Sequence, residues 1–137
     1  MSGKIFCDTN IWLYSLIKSD EAKYQIATDL ITQEEGIVSS VQVANEISVN
    51  LMRKAGKDHA YIQIFLTDFM ASYPVLSQEK EDILTAAGLR LDYRLSYWDS
   101  LIVAAALRGD CDTLYSEDMQ HNLQIRGCLR IINPFKS

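Results

Sequence analysis

Two histidines, two prolines and six glycines in 137 residues leave several kinds of chemistry without their usual ingredients. The three cysteines, Cys7, Cys111 and Cys128, are odd in number and show no C-x-x-C spacing. Neither a disulfide framework nor a thiolate zinc site is indicated, and all three are expected as small core hydrophobes. No apolar run approaches the roughly 18 to 20 residues of a membrane span, and MSGKIFCDTN lacks the basic-then-apolar pattern of a signal peptide. The expectation is a cytoplasmic protein that makes no use of a membrane. Positive charge is scarce too: 13 Lys and Arg against 18 Asp and Glu give a net charge of -5. Such a balance excludes a surface that attracts nucleic acid everywhere, so a nucleic-acid substrate has to be held locally.

What is present reads as an ordinary globular domain, 48% hydrophobic and 23% charged. Without linkers, repeats or low-complexity tracts, residues 1–137 are expected as one domain. KIFC is a short apolar strand that stops at Asp8, and IWLYSLI follows as a short helix. Helical spacing continues from Asp20 to Glu34, with Gly36 preceding a second strand, GIVSS. Ser39 and Gln42 have capping-box spacing at the start of a third helix that ends near Gly56. Further helices are expected over His59 to Ser72, from about Gln78 towards Arg90, and over SYWDSLIVAAALRG, with strands at PVL, TLYS and LRII. Alternating strands and helices imply right-handed crossovers, so the predicted fold is a three-layer α/β/α sandwich with a short, mostly parallel central sheet.

Four acids stand out against this frame. Asp8 ends the first strand and Asp118 follows TLYSE, so two strands deliver carboxylates to the carboxyl rim where parallel sheets bind ligands. Glu46 borders the apolar stripe of the third helix, and Asp99 shares a face with Ile102, Val103 and Ala106. Carboxylates converging without neighbouring bases repel one another unless a cation joins them. Oxygen donors, with only His59 and His121 as potential nitrogen ligands, favour Mg²⁺ or Mn²⁺ over zinc or copper. Such ions polarise a phosphoryl oxygen and activate water, which is the chemistry of phosphoester hydrolysis. Each acid also has a structural role open to it: a helix cap for Asp8, although Asn10 fits that better, a capping box with Ser96 for Asp99, a solvated position for Glu46 and a turn for Asp118.

FCDTNIWLY, VANEI, SYWDSLIVAAA and LYSEDM together resemble the PIN-domain nucleases, in particular the small toxins of bacterial VapBC-type toxin-antitoxin modules. The resemblance spans nearly the whole chain. It implies a PIN-like fold and Mg²⁺- or Mn²⁺-dependent endonucleolytic cleavage of RNA. By position Asp8, Glu46, Asp99 and Asp118 become the catalytic acids, with Asp8, Asp99 and Asp118 as metal ligands and Asn10 and Ser116 in support. Asp118, rather than the adjacent Glu117, is taken as the ligand from its place in S-x-D. A small antitoxin that inserts a basic residue among the acids, and a homodimer, are implied as well. Arg53, Lys54 and Lys57 are candidate substrate-binding cations, with helix-end charges as the plainer alternative. Trp12, Tyr14 and Trp98 can stack bases or fill the core, and the core is the expectation.

A phosphatase, a signalling receiver and a binding module compete. A haloacid-dehalogenase-type phosphatase needs a second Asp where this chain has Asn10, and a response-regulator receiver needs a phosphoacceptor Asp where the third strand ends in PVLS. A non-catalytic protein-binding module on a nuclease fold has no need to retain all four acids.

Overall fold

The computed structural model describes residues 3–136. At its centre lies β1 (Ile5–Cys7), buried at all three positions as a strand covered on both faces must be. On one side β1 pairs in parallel with β2 (Ile37–Ser40), which pairs in parallel with β3 (Val75–Leu76). On the other side it pairs in parallel with β4 (Thr113–Tyr115), followed by β6 (Leu129–Ile132) and β5 (Gln124–Ile125). Only β5 runs antiparallel among the described residues, giving the order β3-β2-β1-β4-β6-β5. The sequence reading missed β5, whose two residues carry no alternation and hold only an edge.

Among the described residues six helices cover the sheet: α1 (Thr9–Leu16), α2 (Glu21–Gln33), α3 (Val41–Ala55), α4 (His59–Ser72), α5 (Lys80–Tyr93) and α6 (Tyr97–Arg108). Helix α1 packs on α2 and α3, α3 on α4, and α5 on α6. This is the expected α/β class with a mostly parallel central sheet. Phe6, Ile11, Ile47, Leu51, Ile102, Leu114 and Ile131 are fully enclosed where the elements meet. Ser100 through Ala106 are all buried, as the nearly apolar sequence of α6 requires. Helices α5 and α6 are also tied by Arg108, whose Nε donates to the buried Asp82 at 2.8 Å. Among the described residues no helix is long and apolar enough to cross a membrane.

Three local expectations change. The cap of α3 is Ser40, whose hydroxyl accepts the Val43 N–H at 3.3 Å, and not Ser39. Ser39 is still in the sheet, opposite Val75, with its own N–H donating to the Pro74 carbonyl at 2.8 Å. Ser40→Ala should therefore destabilise the protein by about 1 kcal/mol in urea denaturation, because the cap is lost from a buried helix start. Helix α5 continues past Arg90 to Tyr93 and stops where Arg94 takes a left-handed conformation, φ 58°. Cys7 and Cys111 are buried as expected, but Cys128 is exposed, because it follows Gly127 in the β5–β6 turn.

Candidate active site

Strand order reverses between β1 and β4: from β1 the chain builds β2 and β3 outward on one side, then returns to place β4 on the other. A crevice opens at such a point beyond the carboxyl ends of the strands. Asp8 and Ser116 emerge there side by side, fastened by the Asp8 N–H donating to the Tyr115 carbonyl at 2.9 Å. Asp8 caps α1, its Oδ1 accepting the Thr9 N–H at 2.7 Å. The Ser116 hydroxyl donates to Asp8 Oδ2 at 2.9 Å and accepts the Met119 N–H at 3.3 Å. Burial pushes the Asp8 carboxyl up to about 6; the Thr9 and Ser116 hydrogen bonds oppose this, and the charges of Asp99 and Glu46 add to it.

Asn10 is not the helix cap that its residue type favours. It lies inside α1, and its Nδ2 donates to Asp118 Oδ2 at 2.7 Å. Glu46 is half-buried on α3 and held at both oxygens, by the Thr9 hydroxyl at Oε1 and by Gln42 Nε2 at Oε2, 3.2 Å away. Gln42 Nε2 also reaches the Trp98 carbonyl at 3.4 Å, linking α3 to the first turn of α6. In that turn Asp99 is half-buried, and Ser96 caps the helix by accepting the Asp99 N–H at 3.1 Å. Burial raises the Asp99 pKa, the Ser96 hydrogen bond lowers it, and the charges of Asp118 and Glu46 raise it further.

Asp118 and Glu117 point to different partners. Glu117 accepts hydrogen bonds from the Lys23 ammonium and from the Tyr14 hydroxyl, the latter at 2.7 Å. Burial pushes its carboxyl up, but Lys23 and Tyr14 outweigh that and leave it below the ordinary value. Asp118 is exposed and faces Asn10 and the field of Asp99. The Lys23–Glu117 pair thus anchors the segment after β4 to α1 and α2. Thr9, Gln42, Lys23 and Tyr14 were not singled out as members of this network. Gln42 stands one helical turn before Glu46, a signal available in sequence; Lys23 and Glu117 are 94 positions apart and leave none.

The remaining candidates fall elsewhere. Arg53, Lys54 and Lys57 make no ion pair or hydrogen bond with the four acids among the described residues, and Lys57 lies over the Tyr61 ring at 4.6 Å. Trp12 is buried against Phe69 and Tyr73, and Tyr14 is half-buried against Phe135, both as expected. Trp98 departs from that expectation: 63% exposed, it stands outside the core at the start of α6 because its neighbours Asp99 and Ser100 take the inward positions.

Among the described residues the four acids have no ion pair, and no three His, Cys, Asp or Glu side chains form a ready-made metal cage. Their coupling is by charge across the crevice. That arrangement fits Mg²⁺, which keeps several waters and rarely uses an all-protein cage, better than zinc. The four acids themselves offer oxygen donors alone, and His121 accepts the Asn133 N–H at Nδ1, 3.0 Å away.

The sequence model of the PIN domain matches residues 5–123. Comparison with curated proteins finds no match. Among solved structures, VapC20 of Mycobacterium tuberculosis, described as a sarcin-ricin loop cleaving toxin, superposes with TM-score 0.70 at 18% identity, over 84% of this chain and 90% of its own. A toxin-antitoxin complex from Klebsiella pneumoniae gives TM-score 0.69 at 17% identity, over 98% of this chain and 99% of the other. VapBC2 from Rickettsia felis, bound to a DNA fragment from its promoter, gives 0.64 at 19%, over 93% and 96%. At these identities the structural likeness is one of fold. With the family match running from β1 into the segment beyond β4, and so across all four acids, the chain belongs to the PIN domain family.

Proposed function

We propose that this chain is a Mg²⁺- or Mn²⁺-dependent endoribonuclease, the toxin of a toxin-antitoxin pair. The observation that carries the reading is a set of four acids, from β1, α3, α6 and the segment after β4, in which burial and neighbouring carboxylates raise the pKa of Asp8 and of Asp99, and none of which has an ion pair among the described residues. Asp8, Asp99 and Asp118 are the residues that would hold the ion. Bound there, it supplies charge to a phosphoryl oxygen and lowers the pKa of water.

The protein's part is positioning. Thr9 and Gln42 hold the Glu46 carboxylate in one orientation, suited to orienting a water molecule and accepting its proton at an Oε atom. Ser116 and Asn10 fix Asp8 and Asp118 in the same way. The test is incubation of purified protein with single-stranded and structured RNAs, with Mg²⁺, with Mn²⁺ and with EDTA. Cleavage confined to the metal-containing reactions is expected; an uncut panel, with no divalent ion bound by calorimetry, would favour a protein-binding module instead.

Two partners follow from the same reading. An antitoxin that places a basic side chain among the acids would supply the missing cation, which a short charge-assisted contact favours. A homodimer is supported by Leu84 and Leu91, 76% and 87% exposed, two turns apart on one face of α5.

A further inference from the structure

Beside the acids, and sharing Glu46 with them, lies a cavity of about 420 Å³ lined by Val41, Gln42, Asn45, Glu46, Gln78 and Trp98. Its lining contrasts with the crevice. Glu46 is the one charged member, and it would repel a phosphate from this space. The rest is a flat aromatic, an aliphatic floor and three primary amides. The side chains of Asn45 and Gln78 make no hydrogen bond within the described residues, so each keeps a donor pair and an acceptor available. Trp98 presents its indole at 63% exposure, yet it is not loose: Tyr97 meets it edge to face at 5.0 Å, and its carbonyl is held by Gln42. Arg90 lies over the Tyr97 ring at 5.4 Å, so a cation borders this aromatic pair.

We infer that this cavity is a nucleobase subsite, which takes one unpaired base of the RNA strand next to the phosphodiester held at the acids. The inference rests on the nuclease reading for the identity of the strand. A base has an apolar face to lay on the Trp98 indole and an edge of donors and acceptors to match the amides of Asn45 and Gln78. Stacking tolerates any base, whereas the amides choose among edges. Because the subsite begins at Gln42 and Glu46, a base seated there fixes which phosphate faces the carboxylates. Trp98 is accordingly a substrate-binding residue, and Gln42 a positioning residue that joins the base pocket to Glu46.

The experiment uses the Asp8→Asn protein, so that RNA binds without being cut, and follows indole fluorescence with acrylamide as quencher. Trp12 is enclosed by Phe69 and Tyr73, which leaves Trp98 as the accessible indole. Oligoadenylate is expected to quench the emission saturably and to shield it from acrylamide, while an abasic ribose-phosphate oligomer of equal length does neither. In the otherwise wild-type enzyme Trp98→Ala should raise KM about 5- to 100-fold with kcat nearly unchanged, and Trp98→Phe should restore most of the loss. Equal quenching by the abasic oligomer, or an unchanged KM in Trp98→Ala, overturns the subsite. So does a Trp98→Ala protein that loses self-association in sedimentation while binding RNA as before, since that assigns the patch to a protein contact. Base-dependent shielding in Asp8→Asn, together with a wild-type protein that cuts no RNA, sinks the nuclease reading and leaves the subsite standing; normal cleavage by the wild type without shielding in the variant does the reverse.

Discussion

Asp8→Asn is expected to lower metal-dependent RNA cleavage by at least about 100-fold and, in the metal-free protein at pH 7, to make the fold more stable. The first effect follows from the place of Asp8 as the most enclosed of the four acids, at the strand-order reversal. Loss of a residue that merely supports a metal ligand costs about 10- to 100-fold in affinity or activity, so loss of a ligand should cost more. The second effect follows from burial. The folded carboxyl, at about 6 against its ordinary 3.8, holds its proton more tightly than in the unfolded chain. Its contribution to stability is complete below about pH 4 and is lost as pH rises through 6. By pH 7 ionisation costs the fold on the order of 2 to 3 kcal/mol.

Asparagine removes that cost and keeps an acceptor for the Thr9 N–H. Urea denaturation should show the variant about 1 to 2 kcal/mol more stable at pH 7 and no better than wild type at pH 4. A variant that is less stable at both pH values, or one that still cleaves, would remove Asp8 from the role assigned to it.

The second large effect is that of the ion itself. At about 100 times its Kd, a ligand bound only by the folded state contributes about 2.7 kcal/mol. For a domain of this size that corresponds to roughly 5 to 10 °C in Tm. Thermal melts in Mg²⁺ or Mn²⁺ against EDTA should show this rise at pH 7.5 and much less of it at pH 5. At the lower pH Asp8 is protonated and Asp99, also raised, is nearer to being so. Asp8→Asn should lose most of the rise at either pH. A melting curve that ignores millimolar Mg²⁺ would count against the site whatever the activity.

The class of fold was legible because its elements announce themselves locally. KIFC ends at an acid, α6 is apolar nearly throughout, and Gly56 closes α3 in the left-handed conformation that glycine accepts. The four acids were singled out for the same reason, each being tied to a strand end or a helical face. What escaped depends on partners distant in the chain. Whether Ser39 or Ser40 caps α3 is decided by β3, whose Val75 and Leu76 carry β2 through to Ser40, and no pattern within GIVSS reveals that. Glu117 turns from the crevice because Lys23 and Tyr14 stand behind it. The S-x-D spacing pointed to Asp118, and the geometry adds a reason that spacing lacks. Trp98 was expected inside on residue type alone, although the inward positions of its helix were already taken by smaller neighbours.

Strand β1 meets β2 early in the chain and β4 only after four more helices, with Ile5 opposite both Ile37 and Thr113. Growing from its amino end, the polypeptide therefore carries Asp8 and Glu46 on half a sheet long before Asp99, Asp118 and the β4 edge exist to face them. A product of premature termination or of proteolysis between α4 and α6 holds two of the acids and lacks the strand that fastens Asp8 to Ser116. On the proposed nuclease reading, a chain that has not yet formed β4 therefore holds an incomplete site for the ion.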